Sequence, residues 1–291
     1  MSQEETVVGV IGGSGLYQID GLKDVREVEL ATPFGAPSDA YVTGTLDGVR
    51  MVFLPRPGRG HRISPSEINF RANIWGLKRL GVTRIVSVSA VGSMREEIQP
   101  GDFVVVDQFF DRTRHRADTF FGDGCVAHVM FADPVCGELR RALLDAGKQL
   151  GLRLHERGTY LNMEGPQFST RAESRIYRQW GIDVIGMTNL QEAKLAREAE
   201  LCYATVAMAT DYDCWREGHE DVTVEAILAV MSANVGNARK LIQSGVPRLA
   251  AARGCGCGSA LKFAVMTAPE QIPAATRERL ALLLDKYLPR S

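Results

Sequence analysis

Six short apolar runs recur along the chain, each rich in β-branched residues and bounded by glycine, proline or charge. They are VVGVIG (7–12), VRMVFLP (49–55), RIVSVSAV (84–91), DFVVVDQF (102–109), DVIGM (183–187) and CYATVAMA (202–209). Runs of this length without polar alternation read as strands buried on both faces. Amphipathic stretches separate them, at 137–150, 170–180, 189–199, 223–243 and 270–287. A further helix is expected from Ser64-Pro65-Ser66-Glu67, which pairs an N-cap serine with proline at the first helical position and a glutamate two residues on. Gly81 can end that helix. Strands alternating with helices predict a layered α/β fold with a largely parallel sheet. No repeat, low-complexity tract or linker breaks the pattern, so a single domain over 1–291 is expected. The long polar loop 110–127 is of a size that is usually functional or mobile.

Bulk properties narrow the function classes. Of the 291 residues 45% are hydrophobic, enough for a sizeable core. A net charge of −1 without a long basic run gives no support to a nucleic-acid partner. No run of 18 apolar residues exists to span a membrane. The acidic start MSQEETVVGV differs from a secretory leader, and a cytoplasmic location is the default expectation. Cys125, Cys136, Cys202 and Cys214 are scattered, and Cys255 and Cys257 form a C-x-C. None of this has the clustered four-ligand spacing of a zinc site, so reduced buried thiols and no metal are expected.

Chemistry gathers where the apolar runs end. The first ends in Gly12-Gly13-Ser14-Gly15, where glycine lets the backbone approach an anion and Ser14 can donate to it. The pattern completes neither the dinucleotide-binding nor the Walker fingerprint, and a plain tight turn fits it equally well. The second run ends in Pro55-Arg56-Pro57-Gly58-Arg59-Gly60-His61-Arg62, and arginine is the favoured bidentate partner of phosphate. The third ends in Ser87-Val88-Ser89-Ala90-Val91-Gly92-Ser93, the fifth in Met187-Thr188-Asn189. Open α/β sheets bind ligands beyond the carboxyl ends of their strands. Ser14, Arg56, Ser89 and Thr188 are therefore expected to converge on one oxyanion, inorganic phosphate or a phosphate ester.

The last run ends in two carboxylates, Asp211 and Asp213. A half-buried carboxyl keeps a raised pKa and serves as a general acid, or accepts from an amino group. Phosphate at one end of a site and acids at the other suit cleavage of a purine nucleoside, with phosphate as nucleophile and the leaving base protonated, or hydrogen-bonded, at N7.

Four long motifs then carry a resemblance: TPFGAPSDA (32–40), SMREEIQPGD (93–102), MEGPQFSTRAES (163–174) and TDYDCW (210–215). In this order and spacing they resemble the 5′-methylthioadenosine phosphorylases of the trimeric purine nucleoside phosphorylase superfamily. The resemblance implies a single-domain three-layer α/β/α fold with a mixed, largely parallel central sheet. It implies phosphorolysis of 5′-methylthioadenosine to adenine and 5-methylthioribose 1-phosphate, with phosphate as co-substrate and no cofactor. By the same resemblance Ser14, Arg56, Ser89, Ala90 (through its backbone) and Thr188 hold phosphate. Phe168 and Met187 face the ribose, Ser169 lies in the base pocket, and Asp211 and Asp213 recognise adenine. Val224, Ile227 and Leu228, on one helix face, match the methylthio pocket, although ordinary core packing would explain that spacing too. His128 matches a histidine reaching a neighbouring subunit, so a homotrimer or a hexamer is implied. The C-x-C resembles a cysteine pair that is oxidised in heat-stable members.

Two positions depart from the family. Pro57 stands where a phosphate-contacting histidine is usual, and Gln191 where a proline is usual. A purine nucleoside phosphorylase of broader or 6-oxopurine preference is the rival enzyme reading. A nucleoside-binding protein with impaired catalysis, motivated by Pro57, is the rival from another class.

Overall fold

The computed structural model describes residues 6–13, 15–216, 224–251 and 253–288. In chain order its strands are β1 (Val7–Gly12), β2 (Lys23–Val28), β3 (Tyr41–Leu46), β4 (Val49–Pro55), β5 (Arg84–Ser93), β6 (Phe103–Val105), β7 (Gln108–Arg112), β8 (Leu154–His155), β9 (Thr159–Met163), β10 (Val184–Gly186) and β11 (Cys202–Asp211). Its helices are α1 (Phe70–Arg79), α2 (Gly137–Gln149), α3 (Arg171–Gln179), α4 (Asn189–Glu198), α5 (Val224–Leu249), α6 (Ala274–Arg279) and α7 (Ala281–Leu284).

All the strands join one mixed sheet. Its centre is parallel, with β4, β1, β5 and β11 side by side. The hairpin partners β3 and β2 extend it antiparallel beyond β4. On the other side β10 pairs antiparallel with the end of β5, and β9 and β7 follow it in parallel.

Burial on both faces explains the unbroken apolar runs. Val8, Val10, Met51, Phe53, Val86, Val88, Ala204 and Val206 point to one face, against Leu139 and Leu143 of α2 and Leu241 and Ile242 of α5. Their neighbours Val7, Ile11, Val52, Leu54, Ile85 and Tyr203 point to the other, against Ile74 and Leu77 of α1 and Ala193 and Ala196 of α4. The result is the expected three layers. Gly76, inside α1, is there for want of space. A Cβ would lie 2.1 Å from the Tyr41 hydroxyl, which donates to the Ala72 and Asn73 carbonyls at 3.1 and 3.0 Å.

Several boundaries differ from expectation. Ser64 to Glu67 forms a turn, not a helix start: the Ser64 N–H and Oγ both donate to the Glu67 carboxylate. The helix begins five residues after Ser64's N-cap motif would place its cap, with Asn69 capping it by accepting from the Ala72 N–H. The run 102–109 changes neighbours, leaving β11 as β6 and joining β9 as β7. The stretch 270–287 is broken, because Pro273 precedes α6 and Leu280 ends it before α7. Strand β2 has no apolar run at all; it is an exposed edge and was invisible to a hydrophobic reading.

The loop after β7 is tied down. Glu198, at the end of α4, accepts from the Thr119 hydroxyl and the Phe120 N–H, both at 2.7 Å. Burial lifts its carboxyl from 4.5 to about 7. Because the folded value is raised, this group's contribution is fully present below about pH 4.5 and is lost as pH rises through about 7. That displacement corresponds to about 3 kcal/mol at 1.36 kcal/mol per pH unit. Glu198→Gln should therefore flatten the fall in denaturation midpoint between pH 5 and pH 8, measured by chemical denaturation across that range.

Candidate active site

The parallel strands β4, β1, β5 and β11 deliver their carboxyl ends to one edge of the sheet. Arg56 follows β4, and its N–H donates to the Gly12 carbonyl at the end of β1, at 2.8 Å. Its side chain is buried. Nε and Nη2 reach the two oxygens of Glu192 at 2.5 and 3.4 Å, Nη2 also reaches Ser87 Oγ at 2.6 Å, and Nη1 donates to the Val88 carbonyl at 3.1 Å. Four of its five donors are thus engaged, and the fifth, on Nη1, has no partner among the described residues.

Around this ion pair the fold assembles a polar layer that sequence reasoning missed. Ser87 and Tyr203 hydroxyls both donate to Glu192 Oε2, at 2.6 and 2.9 Å. Asn189 donates to Ser87 Oγ at 3.0 Å and Thr205 Oγ1 at 3.2 Å. These residues come from β5, β11 and the first turn of α4, and the isolated polar residues Ser87, Tyr203 and Thr205 within otherwise apolar runs were the available signal. Thr188 precedes α4 at its N-cap position, with no side-chain capping bond, and is buried beside Asn189. Ser89 is buried, and its Oγ has no hydrogen-bond partner among the described residues. A buried unpaired hydroxyl costs free energy unless a ligand meets it. Arg56 thus reaches Ser87 and Val88, the two residues of β5 before Ser89, and Thr188 is linked to Ser87 through Asn189. Ala90 lies next along β5; Ser14 lies outside the described residues.

The paired acids stand at the end of β11, against the last residues of β5. β11 ends with a bulge between Ala209 and Asp211, which sets Asp211 against Gly92. A Cβ on Gly92 would lie 3.1 Å from Asp211 Oδ1 and 3.3 Å from Asp213 Cβ, so glycine leaves the room the carboxylates occupy. Asp211 is held from both sides: Thr210 Oγ1 donates to Oδ2 at 2.6 Å and the Asp213 N–H to Oδ1 at 2.7 Å. Asp213 adopts φ 51°, a left-handed conformation that aspartate tolerates. Trp215 anchors the turn by donating from Nε1 to the Ser93 carbonyl at 2.7 Å, under the Arg178 guanidinium. Burial raises both carboxyls above their ordinary range; at Asp211 it outweighs the hydrogen bonds that stabilise the charged form.

A family model described as Phosphorylase superfamily matches residues 7–246. The chain belongs to that superfamily. It is 61% identical to the S-methyl-5′-thioadenosine phosphorylase of Geobacter sulfurreducens, over 98% of this chain and 100% of that protein. It is 59% identical to the enzyme of the same name from Koribacter versatilis, over 96% of each. Among solved structures, methylthioadenosine phosphorylase from an antarctic soil metagenomic library superposes with a TM-score of 0.92 at 47% identity, covering 97% of this chain and 99% of that one. Methylthioadenosine phosphorylase from Schistosoma mansoni, in complex with adenine, superposes with a TM-score of 0.83 at 35% identity, covering 97% and 99%.

Within this phosphorylase fold the remaining expected residues fall as follows. Met187 adjoins Thr188; its carbonyl accepts from Asn162 at 3.2 Å and from Arg116. Ser169 is tied to the acid turn, since Cys214 Sγ donates to its carbonyl at 3.3 Å. Phe168 is 60% exposed and Leu228 52% exposed. The side chains of Val224 and Ile227 lie outside the described residues, as do residues 217–223. His128 is exposed, its N–H bonded to the Ala264 carbonyl. No hydrogen bond joins it to the rest of the site among the described residues.

The two departures have different consequences. Gln191 is fully buried and useful: Nε2 donates to Thr113 at 2.8 Å, and Oε1 accepts from Arg116 and Asn162 at 3.1 and 3.2 Å. A proline there could make none of these bonds. Pro57 sits in the turn closed by the Gly58 N–H on the Pro55 carbonyl, and its own carbonyl accepts from Ile63. Arg59, a possible substitute donor, is engaged instead by Glu27 and Asp39 at 2.8 and 3.4 Å. The cysteine reading is corrected as well: Cys136 and Cys202, far apart in sequence, meet Cys255 and Cys257 in one cluster.

Removing one partner of a buried ion pair costs about 3–5 kcal/mol, because the other charge is left uncompensated. Glu192→Gln should lower stability by about that much, read by chemical denaturation. An unchanged midpoint would mean that Ser87 and Val88 alone suffice for Arg56.

Proposed function

We propose that this chain catalyses phosphorolysis of 5′-methylthioadenosine, yielding adenine and 5-methylthioribose 1-phosphate. What carries the reading is that two half-buried carboxyls, Asp211 and Asp213, end β11, while the neighbouring strand β5 meets the buried Arg56 and carries a Ser89 hydroxyl with no hydrogen-bond partner among the described residues. Relatives of 61% and 59% identity bear the name of that activity, which supports it.

In this reading Arg56, Ser89, the Ala90 backbone, Thr188 and Ser14 hold phosphate. Arg56 is oriented by Glu192 and offers its remaining Nη1 donor. A phosphate oxygen attacks C1′ of the ribose, and the bond from C1′ to N9 breaks with its electron pair passing to the purine. Asp211 stabilises that charge by a proton or hydrogen bond at N7, while Asp213 accepts from the 6-amino group. Phe168 and Met187 face the ribose, Ser169 borders the base, and Val224, Ile227 and Leu228 receive the methylthio group. Phosphate is a co-substrate, and no step calls on a metal or organic cofactor.

The apolar side chains of Val126, Met130, Phe263 and Met266 are exposed, in the two segments that pair beside His128. This supports a homo-oligomer, a trimer or a dimer of trimers, in which His128 reaches a neighbour's 5′ pocket. A solved neighbour named adenosine/methylthioadenosine phosphorylase favours a second reading with broader acceptance at the 5′ position, since both nucleosides carry adenine. Release of base from methylthioadenosine, adenosine, inosine and methylthioinosine, with and without phosphate, separates the readings. Adenine release that needs phosphate is expected; ligand binding without release would overturn the enzyme reading.

Asp211→Asn should lower turnover on methylthioadenosine by about 10²–10⁴-fold, the usual worth of a positioned proton donor. Full activity in that variant would remove Asp211 from the mechanism. Pro57→His should strengthen phosphate binding by about ten- to a hundred-fold, since a hydrogen bond to a charged group contributes about 1.5–3 kcal/mol. Phosphate half-saturation in both variants checks this, and a weaker His variant would mean the turn has adapted around proline.

A further inference from the structure

At the opposite end of β11 from Asp211, four sulfurs meet. Cys202 opens β11, and Cys136 occupies the N-cap position of α2. Cys255 and Cys257 come from the segment after α5. Their Sγ atoms all lie within 4.8 Å of one another, and Cys202 and Cys255 are 3.4 Å apart. All four are free thiols, two buried and two half-buried. Nine residues of strand separate them from the acid pair, about 30 Å at ~3.3 Å per residue, so they take no part in phosphorolysis.

We propose that Cys136, Cys202, Cys255 and Cys257 form a tetrathiolate site that binds one zinc ion and fastens the C-terminal segment to the sheet. Zinc–sulfur bonds of about 2.3 Å arranged tetrahedrally place sulfurs about 3.8 Å apart, which matches the observed cluster. Soft thiolates select zinc over the hard cations magnesium and calcium. Four protein ligands leave no open position, so the site is structural and not catalytic.

The backbone holds the ligands in place by bonds of its own. Arg84, paired with Cys202 across β5 and β11, donates to the Leu249 and Ala251 carbonyls, both at 2.6 Å, at the end of α5. The Gly254 N–H donates to Glu138 in the first turn of α2 at 3.1 Å. The segment carrying Cys255 is thereby drawn to Cys136 from one side and Cys202 from the other. Binding releases four protons, one from each thiol, and leaves a centre of charge −2; no electrons are exchanged. Cys136, at the N-cap of α2, sits at the positive end of that helix.

The test uses the full chain, purified anaerobically with a reductant. Elemental analysis should find about one zinc per chain. The metal-free protein titrated with Co²⁺ should develop the intense visible bands of a tetrahedral thiolate site, and zinc should abolish them. Removing zinc should lower the thermal midpoint. The double variant Cys255→Ser, Cys257→Ser should lose the metal, whereas Cys125→Ser should retain it. If the double variant fails to fold, the Co²⁺ titration of the wild-type chain still decides. Reduced wild-type protein that takes up neither ion would overturn the proposal. So would disulfide-linked peptides joining these cysteines in protein kept under reductant, or metal content unchanged in a folded double variant.

Discussion

The buried pair between Arg56 and Glu192 is the interaction on which the site depends. It joins the loop after β4 to α4, and through Ser87 and Tyr203 it reaches β5 and β11. An arginine without this carboxylate could not remain buried, since an uncompensated charge in the interior is costly. The carboxylate fixes the plane of the guanidinium and takes two of its five donors, and Ser87 and Val88 take two more. What remains is one N–H on Nη1, and further along β5 the Ser89 hydroxyl has no hydrogen-bond partner among the described residues. An anion that fits there meets groups already in position, so little ordering is needed when it binds.

The acid end of the site follows a different principle. Asp211 and Asp213 are lifted by burial, and their geometry is set by short local bonds from Thr210 and the Asp213 N–H. A glycine on the neighbouring strand leaves the space, and a tryptophan pins the turn that follows. The anion end is therefore built by contacts distant in sequence, whereas the acid end is built mostly within TDYDCW and the strand beside it. This explains why the acid pair was easy to find and Glu192 was not. Glu192 sits within an ordinary helical pattern, and nothing in MTNLQEA marks it as the partner of a residue 136 positions away.

Superfamily membership fits both halves. The chain is 61% identical to a named phosphorylase over 98% of its length. Its departures are local. Gln191 has been absorbed into a bonded network with Thr113, Arg116 and Asn162 that steadies the long loop. Pro57 removes a donor, and among its neighbours Arg59 is already committed to acids elsewhere.

The sequence by itself determined the layered α/β class, the strands β1, β4, β5, β10 and β11 and the residues at their carboxyl ends. Burial on both faces forces continuous apolar runs, and chemistry at a strand end must interrupt them. It also gave the acid pair, since two carboxylates directly after such a run are conspicuous. It misjudged what depends on neighbours. The start of α1 was decided by Asn69 and not by Ser64, the run 102–109 was divided between two partner strands, and the exposed edge β2 left no hydrophobic trace. Only the tertiary structure brought Arg56 to Glu192, and only it gathered Cys136, Cys202, Cys255 and Cys257. Both are contacts between residues far apart in the chain, fixed by how strands and helices stack, and no local pattern of residue types encodes that distance.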